Sequence, residues 1–201
     1  QLSINKQCDS VVCLGDFFVK ATLSDEELTA LKQIKWNELP HYFIVGNHES
    51  SVNGLDYNST KALESPIHFM IDKPMEIIDT ANELEICFLP YIIETDRRPL
   101  SEYFPTYNKK VILSHNDIRG LQMGAFLSKD GFDVDDILNI CNLFVNGHLH
   151  NGGRFANNCY NLGNVTGLNF SEDANKYPHE VAILDTDNLT LQFFENPYAY
   201  N

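Results

Sequence analysis

Tyr42-Phe43-Ile44-Val45-Gly46-Asn47-His48-Glu49 decides the fold: an apolar run stops at a glycine, and three polar residues follow it. A continuous apolar run of that length marks a strand buried on both faces, as the strands of a parallel sheet are. The same layout stands upstream, where Val11-Val12-Cys13-Leu14 runs into Gly15-Asp16. Between the two runs, Ser24-Asp25-Glu26-Glu27 opens a helix. Ser24 is placed to cap it, Glu27 completes a capping box, and Leu28, Leu31 and Ile34 follow at helical spacing. Strand, helix and strand in that order predict parallel strands in an α/β domain.

Further along, the pattern changes. Residues 67–90 hold the short runs Ile67-His68-Phe69-Met70-Ile71, Met75-Glu76-Ile77-Ile78 and Leu84-Glu85-Ile86-Cys87-Phe88-Leu89, split by turns, and predict a more antiparallel sheet. Val111-Ile112-Leu113 then ends at Ser114-His115, and Leu143-Phe144-Val145 at Asn146-Gly147-His148. Val181-Ala182-Ile183-Leu184-Asp185 and Leu189-Thr190-Leu191-Gln192-Phe193 read as a closing hairpin around Thr186-Asp187-Asn188. The expected architecture is α/β, two sheets with helices outside. No repeat or linker divides the 201 residues, so a single domain is expected.

Composition narrows the function. A hydrophobic fraction of 43% and a charged fraction of 21% are those of an ordinary globular chain. No apolar run approaches the roughly 18 residues of a membrane span. Cys8, Cys13, Cys87, Cys141 and Cys159 are scattered and odd in number, which suits reduced thiols in the cytoplasm better than a disulfide framework. N-x-[ST] triplets at Asn58, Asn164, Asn169 and Asn188 are of a kind frequent by chance. The net charge of -14 repels phosphate backbones, so non-specific binding of nucleic acid by the bare chain is disfavoured. A phosphate-handling site here needs positive charge from metal ions, a local basic patch or another domain.

The candidate chemistry lies where the apolar runs end. Gly15-Asp16, Gly46-Asn47-His48-Glu49, Ser114-His115 and Gly147-His148-Leu149-His150 each place residues of metal-ligand type just after a strand, where open α/β sheets collect their functional groups. Each alone is ordinary: Gly-Asp and Gly-Asn are common turn residues, and a lone histidine is often satisfied by a backbone carbonyl. Their occurrence in order, each at a strand end, is what points to a site. On an extended segment His148 and His150 would point the same way, with Leu149 turned into the core.

The series resembles the calcineurin-like metallophosphoesterases, whose motifs run D-x-H, G-D, G-N-H-[DE], H and G-H-x-H. Within them it is most similar to the DNA-repair nucleases of SbcD and Mre11 type, in a short, phage-like form. The resemblance implies a four-layer αββα sandwich of two mixed sheets flanked by helices. It implies metal ligation by Asp16, Asn47, His115 and His148 at a second-metal site, with Asp16 bridging two ions and His150 serving the other ion. His48 would contact the phosphate and protonate the leaving oxygen. A bridging carboxylate, a neutral amide oxygen and imidazoles form a mixed set suited to Mn²⁺, Fe or Zn²⁺, Mn²⁺ being the usual ion of this branch. Two such ions about 3.5–4 Å apart activate water and stabilise charge on the phosphoryl oxygens. DNA is the implied substrate and an SbcC- or Rad50-like ATPase the implied partner; the resemblance allows a homodimer and involves no membrane.

Several features depart from that pattern. Nothing ahead of Asp16 matches D-x-H, so the domain of residues 1–201 is expected to lack its N-terminal strand, with residues 2–7 as the tail of the helix that follows it. A C-terminal DNA-capping domain is likewise expected to be absent. Val19, and Lys20-Ala21 after it, argue against the purple acid phosphatase and Ser/Thr phosphatase branches. Asp117, Arg119 and Arg154 are expected to be surface residues. The competing readings are a small-molecule or cyclic-nucleotide phosphodiesterase, and a non-catalytic scaffold holding one structural metal.

Overall fold

Val11 lies opposite His41 and Cys13 opposite Phe43, so the first two apolar runs pair in parallel as the intervening helix requires. The computed structural model describes residues 2–51, 54–105, 109–123, 126–166 and 179–199. The chain begins with α1 (Leu2–Asn5), β1 (Val11–Cys13), α2 (Asp25–Leu31) and β2 (His41–Ile44). A small hairpin, β3 (Ser50–Ser51) and β4 (Gly54–Asn58), precedes β5 (His68–Ile71), β6 (Met75–Asp79) and β7 (Leu84–Leu89). Next come α3 (Leu100–Tyr103), β8 (Lys109–Ser114), the short strands β9 (Gln122–Met123) and β10 (Phe126–Leu127), and α4 (Val134–Ile140). The last strands are β11 (Leu143–Asn146), β12 (Gly153–Ala156), β13 (Cys159–Asn161), β14 (Glu180–Asp185) and β15 (Thr190–Glu195).

A three-stranded sheet runs β1-β2-β5 and a six-stranded sheet β12-β13-β11-β8-β7-β6. The second sheet is mixed: β13, β11, β8 and β7 are parallel, and the edge strands β12 and β6 run against them. The first sheet is parallel in every described pair. The run from Ile67 to Ile71, expected in a more antiparallel sheet, is a correction. It pairs His41 with His68 and Ile44 with Ile71 in the parallel sheet, because the hairpin and 3-10 turn before it return the chain to its starting end. The closing hairpin forms as expected, Glu180 opposite Glu195 and Asp185 opposite Thr190. The stretch from Asn169 to Asp173, whose sequence resembles that of the nuclease branch, lies outside the described residues.

Alternation along the strands builds two cores. Phe88, Val111, Leu113, Leu143 and Val145 face the first sheet and pack with Ile44 and Ile71. Cys87, Leu89, Ile112 and Phe144 face the other way, onto Leu100 and Phe104 by α3 and Ile137 of α4. Burial on both faces is why these strands read as unbroken apolar runs. On the far side of the first sheet, α2 begins in the predicted capping box: Ser24 Oγ accepts from Glu27 N–H, and Glu27 accepts from Ser24 N–H. The chain is a mixed α/β structure of several sheets and few, short helices, as a metallophosphoesterase core is. Among the described residues, no helix is long and apolar enough to cross a membrane.

Candidate metal centre

β1 and β2 belong to one sheet, β8 and β11 to the other, and the residues after their carboxyl ends meet. The glycines make this approach possible. Gly15 has φ +96°, and a Cβ there would stand 2.3 Å from His115 Nδ1; a Cβ on Gly46 would stand 2.1 Å from Asp16 Oδ1. Any larger residue would push a site side chain away.

His115 is fully buried. Its Nδ1 lies 2.6 Å from the carbonyl oxygen of Leu14, which can only accept, so Nδ1 carries the proton. Its Nε2 then presents a lone pair to Asp16 Oδ2 at 3.1 Å, Asn47 Oδ1 at 3.2 Å and His148 Nδ1 at 3.1 Å. His148 is placed by a similar device, its Nε2 lying 3.0 Å from Asp117 Oδ1. An ionised carboxylate accepts only, so His148 also turns its protonated nitrogen outward. Two imidazole lone pairs, a carboxylate oxygen and an amide oxygen thus face one point with no proton between them. Like acceptors at that spacing repel unless a cation lies among them. Ligand atoms about 2.0–2.2 Å from a tetrahedral metal are about 3.3–3.6 Å apart; the contacts of His115 Nε2, at 3.1 Å, 3.2 Å and 3.1 Å, come close to that spacing, and the donor types fit a divalent ion.

The surroundings hold these groups. The N–H of His48 donates to Asp16 Oδ1 at 3.1 Å and holds that carboxylate from the loop after β2. Glu49, fully buried, accepts from the N–H groups of Gly46 at 2.8 Å, Phe18 at 3.1 Å and Asp16 at 3.2 Å, tying the loops after β1 and β2 together. Burial pushes its carboxyl up, against the pull of those N–H groups. Beneath the other loops runs a ladder of buried asparagines. Asn116 N–H donates to Asn146 Oδ1 at 3.0 Å, and Asn146 Nδ2 donates to Asn116 O at 2.9 Å and Asn161 Oδ1 at 3.1 Å. Asn116 also holds Ile92 N–H at 2.8 Å, and Asn161 holds Leu149 N–H at 3.3 Å.

Asp16, Asn47, His115 and His148 therefore come together. His48 lies beside them, its backbone on Asp16 and its side chain exposed. His150 is exposed and stands outside the group formed by Asp16, His115 and His148, while Leu149 between the two histidines is buried as expected. Arg119, paired with Asp133, and Arg154, bonded to Asn157 of its own hairpin, are surface residues as expected. Asp117 is a correction: its side chain is largely buried and bonded to His148 and Arg97, because the turn after β8 directs it back to the site. Sequence reasoning gave no role to Glu49, Tyr91 or Arg97; the one signal was the position of Asp117, two residues after a strand-end histidine. A second group, Glu76, Glu85 and Cys87, is a poorer metal site. The Lys110 ammonium already pairs with Glu85 at 3.0 Å, and burial pushes the Cys87 thiol up to about 12.

A search among curated proteins finds no match. A model of the calcineurin-like phosphoesterases matches residues 1–185. With that match spanning most of the 201 residues and the acceptor cluster at its strand ends, the chain belongs to the calcineurin-like phosphoesterase family, which binds divalent metals and hydrolyses phosphate esters.

Proposed function

We propose that this chain hydrolyses phosphodiester bonds in DNA, as a nuclease of SbcD and Mre11 type. The observation that carries the hydrolytic reading is the meeting of Asp16 Oδ2, Asn47 Oδ1, His115 Nε2 and His148 Nδ1, each imidazole turning its proton away from the others. These residues would hold one divalent ion, Mn²⁺ foremost and Fe or Zn²⁺ next, and Asp16 and His150 would serve a second. Ions bound there would lower the pKa of water and offset charge on the phosphoryl oxygens. The arginine at the cluster, Arg97, is engaged by Glu94, Asp117 and the carbonyl of Ile92, so in a chain of charge -14 it leaves phosphate neutralisation to metal.

In the reaction, Asp16 and Asn47 keep the cluster in register and His48, exposed beside it, meets the phosphate. As water attacks and the bond from phosphorus to the leaving oxygen breaks, His48 gives that oxygen a proton. The pairing of Gly46-Asn47-His48-Glu49 with Gly147-His148-Leu149-His150 marks the family, and the nuclease reading rests on the sequence Asn161-Leu162-Gly163-Asn164 after the last motif and on Asn169 to Asp173. The acidic charge favours a second reading, a small-molecule or cyclic-nucleotide phosphodiesterase. Digestion of linear DNA beside a small chromogenic diester, both with Mn²⁺, separates the two. Cleavage of DNA, lost in His48→Ala, is the expected result. Cleavage of the small diester alone gives the second reading; Mn²⁺ binding with neither activity gives a metal-holding scaffold.

A further inference from the structure

The imidazole of His148 has a different partner at each nitrogen. Nδ1 faces the acceptor cluster, 3.1 Å from His115 Nε2, and Nε2 lies 3.0 Å from Asp117 Oδ1. Were the proton to move to Nδ1, the ring would turn an N–H into the cluster and its remaining lone pair against a carboxylate. Asp117 is what makes that tautomer unfavourable.

Asp117 is itself held from two sides. Its Oδ2 pairs with Arg97 Nη2 at 3.2 Å, with both side chains largely buried. Arg97 is anchored in turn by the carbonyl of Ile92 at 3.0 Å, by Glu94, and by its guanidinium over the ring of Phe132 at 5.5 Å. The main chain of Asp117 accepts from Phe132 N–H at 3.0 Å, and its neighbour Asn116 is locked into the asparagine ladder. Tyr91 backs the histidine, its ring centroid 5.7 Å from that of His148. A carboxylate so fixed can set both the tautomer and the rotation of the ring it touches.

We propose that Asp117 is a positioning residue for the metal centre: held by Arg97, it fixes His148 with Nδ1 open toward the ion. The inference rests on the reading of the cluster as a metal site. A carboxylate behind a ligating imidazole makes the ring more basic and removes its freedom to turn, and its loss typically costs about 10–100-fold in metal affinity. An ordinary ion pair joining two loops would instead change only stability.

The test follows two quantities in wild type, Asp117→Ala and Asp117→Asn. One is the His148 tautomer, read from ring nitrogen shifts of metal-free protein; the other is Mn²⁺ affinity, read by calorimetry. Wild type is expected to hold its proton on Nε2 and to bind Mn²⁺. Asp117→Ala should mix the tautomers and bind Mn²⁺ about 10–100-fold more weakly. Asp117→Asn keeps an acceptor oxygen and the size of the side chain, so it is expected to fold and to lose only several-fold. It decides the matter alone if the alanine variant does not fold. Unchanged affinity and tautomer in the folded variants, with only the melting temperature lowered, overturns the positioning role. Wild type that binds no Mn²⁺ removes the metal reading itself, and the positioning role with it.

Discussion

Glu49 shows how one side chain can fix a site that it does not enter. Its carboxylate takes the N–H groups of Gly46, Phe18 and Asp16, which belong to loops from two strands. Glu49→Ala leaves those donors in a buried place without an acceptor. Hydrogen bonds to charged groups are worth about 1.5–3 kcal/mol each, and with some relaxation the variant should lose about 3 kcal/mol in a urea melt. Glu49→Gln keeps an acceptor oxygen and should lose distinctly less. At Asp117 the sign of the pH dependence can be worked out. Burial would raise its carboxyl, but the His148 hydrogen bond and the Arg97 guanidinium outweigh it and lower it. A carboxyl lowered by folding adds stability above its unfolded value, about 3.9, and loses it as pH falls through the lower folded value. Metal-free wild type should therefore lose stability below about pH 4 more steeply than Asp117→Asn, as thermal melts across that range would show.

At the scale of elements, the site depends on parallel strands from two sheets ending at one place, with the asparagine ladder joining the loops that follow β7, β8 and β11. Asn146 is its middle rung, fully buried. Asn146→Ala strands the N–H of Asn116 and takes a donor from both Asn116 O and Asn161 Oδ1, and at about 1–3 kcal/mol for an unsatisfied buried group it should cost about 2–4 kcal/mol in chemical denaturation. Much of this scale was legible beforehand. The strand ends, the Ser24 capping box and the closing hairpin each have a local signature in neighbouring residues. The placement of β5 was not, since the same apolar run serves a parallel or an antiparallel sheet and only the path of the chain before it decides. Nor was the contact of Arg97 with Asp117, which joins residues from separate loops through the turn that follows β8. The ligand-type residues themselves could be read because each follows a glycine or an apolar run, whereas their supports, Glu49 aside, lie in ordinary-looking loop sequence.

For the whole molecule, charge and metal are linked. A chain of net charge -14 that gathers a carboxylate, an amide oxygen and two imidazole lone pairs at one point is relieved of repulsion when a divalent cation enters. Binding to the folded form alone then stabilises it, by about 2.7 kcal/mol at a hundredfold excess over Kd. The melting temperature should rise with added Mn²⁺ and return to its starting value with a chelator. A melting temperature indifferent to both would mean that the folded chain holds no ion. Family membership makes metal-dependent hydrolysis of phosphate esters the frame for every such test.

The most direct test is a titration of metal-free protein with Mn²⁺, counting bound ions in wild type, His115→Ala and Asp16→Asn. The account predicts at least one tightly bound ion in wild type, lost or greatly weakened in both variants. Wild type that binds none, or variants that bind as wild type does, would contradict the assignment of Asp16, Asn47, His115 and His148 as a metal centre.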